Sequence, residues 1–73
     1  MDYHVYSGAT VYAVKHCATE KAAREYVAKA RHDWAMTGAP RVPSYQIIWN
    51  RDGRVIASFP VTTAAALFAQ GND

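Results

Sequence analysis

Between Tyr45 and Phe59 the chain reads YQIIWNRDGRVIASF, two β-prone runs on either side of Asp52-Gly53. An Asp-Gly pair flanked by β-branched and aromatic residues is a strong hairpin signal, because glycine enters the left-handed region that a tight turn needs. Two loops fit it. A two-residue loop sets Trp49 opposite Ile56 and Tyr45 opposite Pro60. A three-residue loop, a type I turn with Gly53 in the left-handed bulge position, sets Trp49 opposite Val55, Ile47 opposite Ala57 and Tyr45 opposite Phe59. The second register gathers those six apolar residues on one face and leaves Gln46/Ser58 and Asn50/Arg54 on the other. A slip of one residue destroys that segregation, so the bulged register is the expected one. It leaves Ile48 and Ile56 as an apolar pair on the polar face, in need of a cover.

Upstream, YHVY and TVYAVKHC are rich in β-branched and aromatic residues, and SGA between them is a turn signal. A first hairpin is expected there. Tyr12, Val14 and His16 share one face of its second strand, and Val11, Ala13, Lys15 and Cys17 share the other. Both faces are partly apolar, so this pattern leaves the buried one open. Thr19 then suits a helix N-cap, with Glu20 in the first turn where the helix dipole favours a carboxylate. Ala23, Tyr26, Val27, Ala30 and Trp34 recur with helical period, and Glu20/Arg24 and Glu25/Lys29 sit four apart in the favoured acid-first order. Gly38 and Pro40 end the helix.

GAPRVPS is a stiff connector. The tail TTAAALFAQGND predicts a short helix capped by Thr62 or Thr63, with Ala64, Leu67 and Phe68 on one face to cover the Ile48/Ile56 pair. The expected fold is a small α+β single domain spanning 1–73. Its order is ββαββα, with an antiparallel sheet, one long helix over about 20–36 on one face, and a short C-terminal helix.

Composition narrows the function. Half of the 73 residues (51%) are hydrophobic and 19% are charged, which argues for a packed core over disorder. One cysteine permits no internal disulfide, so a cytosolic setting is expected. No basic leader precedes an apolar run at the N-terminus, and AAALFA is too short to span a bilayer, so neither a signal peptide nor membrane insertion is expected. A net charge of +2 and a pI near 8.9 are mildly basic. They leave nucleic acid as a second candidate partner behind protein. A core this small also makes a homodimer as natural an expectation as a monomer.

Catalytic chemistry finds little footing. His16 and Cys17 are strand neighbours that point to opposite faces, so they cannot form the ion pair of a cysteine nucleophile, and Cys17 reads as a half-buried structural residue. His4, His16 and His32 show no ligand spacing within one element, so no metal site is expected. The glycines are isolated and form no phosphate loop, and no two carboxylates pair as acid and base. The expectation is a protein that is not an enzyme and uses no cofactor.

The arginines are the candidate contacts. Five of the eight basic residues are arginine, the side chain suited to bidentate grip on carboxylate or phosphate and enriched in interface hot spots. Arg24 and Arg31, seven apart, lie along one flank of the long helix. Arg41 is in the connector. Arg51 and Arg54 flank the hairpin turn, where Asn50 to Arg54 contains nothing the core needs. Tyr26, Trp34, Tyr45, Trp49 and Phe59 are assigned to the core, while Tyr3 and Tyr6, placed on one face of the first strand, are expected as surface aromatics available to a partner.

In length, alanine- and arginine-rich texture and lack of catalytic signals, the chain resembles the small proteins that phages make to disable or redirect host machines. These include regulators that bind bacterial RNA polymerase and inhibitors of CRISPR complexes. The resemblance implies a non-enzymatic inhibitor or transcription regulator in the host cytoplasm, occupying a surface of a multisubunit assembly such as RNA polymerase. It rests on general character and transfers no residue roles. In element order the chain is also similar to RNA-binding α+β modules, yet it has neither the aromatic RNP1 strand of an RRM nor the GXXG loop of a KH domain.

Overall fold

The structure, a computed structural model, describes residues 2–8 and 12–70. It is a small α+β domain in the order ββαββα: β1 (Tyr3–Ser7), β2 (Ala13–Cys17), α1 (Glu20–Met36), β3 (Tyr45–Trp49), β4 (Arg54–Phe59) and α2 (Ala64–Gln70). The four strands form one antiparallel sheet in the order β2-β1-β3-β4. Ala9 of the expected first turn, and Thr10 and Val11 of the expected second strand, lie outside the described residues. No described helix is long and apolar enough to cross a membrane.

Alternation decides the inner face of the sheet. Val5 and Ile47 are completely buried, Tyr45 and Cys17 nearly so, and α1 meets them with Ala23 and Val27, both also at zero exposure. Small side chains on the helix let its axis come close to the sheet. Burial of each full-sized aliphatic side chain there contributes about 1.5–3 kcal/mol. The inward position of Cys17 settles which face of β2 is buried and sends His16 outward. A bulge at Val14 falls between the Val5/Lys15 and Tyr6/Ala13 pairs.

Local signals hold the helices as expected. The Thr19 hydroxyl accepts from the Ala22 N–H at 3.1 Å, and Thr63 does the same for Ala66 at 3.1 Å, so Thr63 caps α2. Thr62 instead bridges the connector: it exchanges two backbone hydrogen bonds with Val42, at 2.8 and 3.2 Å. That pins the connector, and Val42 becomes a fully buried residue.

Three expectations need correction. The β3–β4 register begins as expected, with Tyr45 opposite Phe59, Gln46 opposite Ser58 and Ile47 opposite Ala57, but the bulge lies inside β4 at Ile56. Beyond it Ile48 faces Val55 and Trp49 faces Arg54, in place of the Trp49/Val55 and Asn50/Arg54 pairs. The loop is four residues, Asn50 to Gly53, closed by the Gly53 N–H donating to the Trp49 carbonyl at 2.8 Å. Gly53 is left-handed, with φ 72°, as the turn chemistry required. The extra residue turns Ile56 in against the core and sends Val55 outward, 46% exposed.

Trp34, assigned to the buried stripe, is 44% exposed. A 17-residue helix is about 25 Å long whereas strands of five or six residues run about 17–20 Å, so its last turns outreach the sheet. The indole lies at the sheet's rim, donating from Nε1 to the Tyr45 hydroxyl at 3.1 Å.

Finally, α2 does not cover the outer face. It packs on α1, and α1 itself lies over β1, β2 and β3 rather than β4. No described element covers the outer face, which carries Ile48 and Val55 as its apolar pair.

Candidate functional site

The bulge in β4 determines what surrounds the hairpin tip. Because the register has shifted by the time the strands reach the turn, Arg54 stands directly opposite Trp49. Trp49 in turn pairs with Tyr3 of β1, and Tyr3 with Cys17 of β2. One cross-strand row on the inner face therefore runs from the buried Cys17, through the half-buried rings of Tyr3 and Trp49, to the exposed Arg54. Arg51, in the loop, folds back to the same indole. The two guanidinium carbons lie 5.9 Å (Arg51) and 5.8 Å (Arg54) from the Trp49 ring centroid, within cation–π range.

This arrangement is held by the backbone. The Arg54 N–H donates to Asp52 Oδ1 at 2.9 Å, the turn-closing bond expected of an aspartate in that place, and the Asn50 N–H donates to the Asp2 carbonyl at 2.7 Å. Asp52 Oδ2 is 3.9 Å from Arg54 Nε, a long and exposed ion pair worth at most a fraction of a kcal/mol. Asp52 is thus committed to the turn and does little to neutralise the two cations. All of Asn50 to Arg54 is exposed, and the two arginines meet the fold only where they lie over the half-buried Trp49 ring.

The other candidates separate. Arg24 and Arg31 share a wall of a cleft bounded by α1, Phe59 of β4 and α2, and Arg24 is paired with Glu20 at 2.8 Å. Arg41 is exposed in the connector and belongs to neither arginine pair. Tyr3 and Tyr6 do not share a face: three positions apart on a strand, they point oppositely. Tyr3 packs against the core beside Trp49, and Tyr6 lies on the outer face opposite Gln46, lining a shallow hollow with Ser44 and Ile48.

His4 and His16, directly paired across β1 and β2, meet edge to face on the outer face with centroids 4.3 Å apart. His32 is remote on α1, edge-on to Phe68 at 5.9 Å. Among the described residues no three metal-ligating side chains gather. Cys17 is buried more deeply than expected, at the strand end before α1.

Trp49 is the residue the sequence did not mark as part of a site. Its alternation read as core, and the bulge, which sets Arg54 opposite it, also makes it the ring that both tip arginines meet. Comparison with protein families, with curated proteins and with solved structures gave no match.

Proposed function

We propose that the chain is a non-enzymatic binding protein whose hairpin tip docks on an acidic surface of a larger protein assembly and blocks or displaces that assembly's normal partner. The observation that carries this reading is the pair of guanidinium groups held over the Trp49 ring. Tryptophan and arginine dominate interface hot spots, and an arginine resting on a ring has lost part of its conformational freedom before a partner arrives. Carboxylates on the partner would meet two cations whose outer N–H groups face solvent, while Tyr3 and Trp49 supply apolar area beside them. Blocking a surface demands complementarity of shape and charge and no catalytic group. A bacterial RNA polymerase is the first assembly to test.

The test is a pulldown from nuclease-treated bacterial lysate, followed by affinity measurement with the Arg51→Ala/Arg54→Ala variant. The expected loss is about 2 kcal/mol or more, the hot-spot threshold, and reversal of both to glutamate slows association further. Unchanged affinity in the double alanine variant ends the proposal. A second reading draws on the same cluster: an indole beside two arginines can stack a base and hold its phosphates. Binding that falls log-linearly with salt, and a pulldown abolished by nuclease, would favour that reading.

A further inference from the structure

The cleft beside α1 is a different kind of site. Because the backbone of α1 lies over β1, β2 and β3 rather than β4, and α2 folds back onto α1, a cavity of about 420 Å³ opens over Phe59. That is within the range of small-molecule pockets. Its floor and far wall are apolar: Val27, Phe59, Leu67 and Phe68. Its near wall carries Arg24 and Arg31, and no carboxylate stands among the described residues that line it.

Arg31 is the informative member. Its guanidinium lies across the Phe59 ring, 5.4 Å from the centroid, and its Nε–H is the one buried side-chain polar group among the described residues with no hydrogen-bond partner. A buried donor without an acceptor is costly, and more so on a charged group. Arg24 differs, since it is half exposed and has Glu20 as partner. The fold therefore leaves the Arg31 Nε–H, beside an apolar cavity, without an acceptor among the described residues.

We infer that this cleft binds a small amphipathic carboxylate, an alkyl or aryl body carrying one acid group. The body fills the space between Val27, Phe59, Leu67 and Phe68. The carboxylate approaches Arg31 side-on, taking Nε–H and one Nη–H together after a small swing of the guanidinium off Phe59, which is the bidentate geometry that arginine favours. Positive charge without a lining carboxylate selects against cationic and neutral analogues of the same shape. This site is separate from the hairpin tip and stands or falls independently of it.

The experiment is a titration of the isotope-labelled full chain with octanoate, read by amide and methyl chemical shifts, with 1-octanol and octylammonium as matched probes. Octanoate should give saturable shifts centred on Val27, Arg31, Phe59 and Leu67. It should bind about tenfold more tightly than octanol, the scale of one charge-assisted hydrogen-bonded contact. Arg31→Gln should bring octanoate down to the octanol level, and Arg24→Gln, which gives up the Glu20 pair on the more exposed flank, should weaken it less and lower the melt by no more than a few degrees. Octanol or octylammonium binding as tightly as octanoate, shifts centred on another surface, or a titration that never saturates would each overturn the proposal. The comparison of the three probes on the unaltered chain decides the matter even if Arg31→Gln fails to fold.

Discussion

On the inner face of the sheet Val5 and Ile47 are sealed from water at the centre, with Tyr45 and Cys17 almost as deep. The same strands turn His4, Tyr6, Gln46 and Ile48 to the outer face, where none of the four is fully buried. The inner face receives α1, and α2 packs on α1 rather than on a strand. The outer face receives nothing from the described chain, and it carries an edge-to-face histidine pair and an isolated Ile48/Val55 contact. Burial makes each inner position exacting about size and polarity, whereas outer positions tolerate almost any side chain that suits a strand. The two regimes meet in β4, where one extra residue decides which aliphatic side chain belongs to which face.

The comparison can be broken at its strongest point by truncating Ile47. Its complete burial makes Ile47→Ala cost about 2–5 kcal/mol, a large part of the stability of a domain this size, and a thermal or urea melt close to that of the parent would refute the assignment of the inner face. Gly53→Val is expected to cost about 1–3 kcal/mol, because a β-branched residue is forced to φ near 72°. An unaltered melt would mean that Gly53 does not hold the left-handed conformation that closes the loop. The smallest effect gives the sharpest discrimination. Ile56→Ala should destabilise by about 1 kcal/mol, reflecting partial burial, while Val55→Ala should stay within about 0.5 kcal/mol. A larger loss at Val55 than at Ile56 would place the bulge elsewhere and restore the three-residue loop.

Much of this was legible in the residues themselves. Helical period, the Thr19 cap and Gly38 gave α1 its bounds, and alternation over Tyr45–Trp49 gave the inner residues of β3. The bulge was not, because a two-residue period cannot register one residue that interrupts it, and Asp-Gly suits both a three- and a four-residue loop. The docking side of α2 was equally hidden: Leu67 and Phe68 mark an apolar face but not the surface it meets. For the candidate sites, the seven-residue spacing of Arg24 and Arg31 correctly placed them together. Nothing in it foretold that the C-terminal helix would close a cavity against them, or that Trp49 would sit beneath the tip arginines.

The strand order has a consequence for how the chain reaches this state. β1–β2 and β3–β4 are hairpins whose partners are near in sequence, but the seam between β1 and β3 joins Tyr3 to Trp49 and Ser7 to Tyr45, residues more than half the chain apart. The ends of a long loop must be brought together before any hydrogen bond of that seam offsets the lost entropy. Closing that seam, which makes Val5 and Ile47 neighbours, is therefore the entropically costliest pairing in the sheet. Truncating Val5 or Ile47 is accordingly expected to slow folding, whereas changes at the hairpin tip or in α2 are expected mainly to speed unfolding.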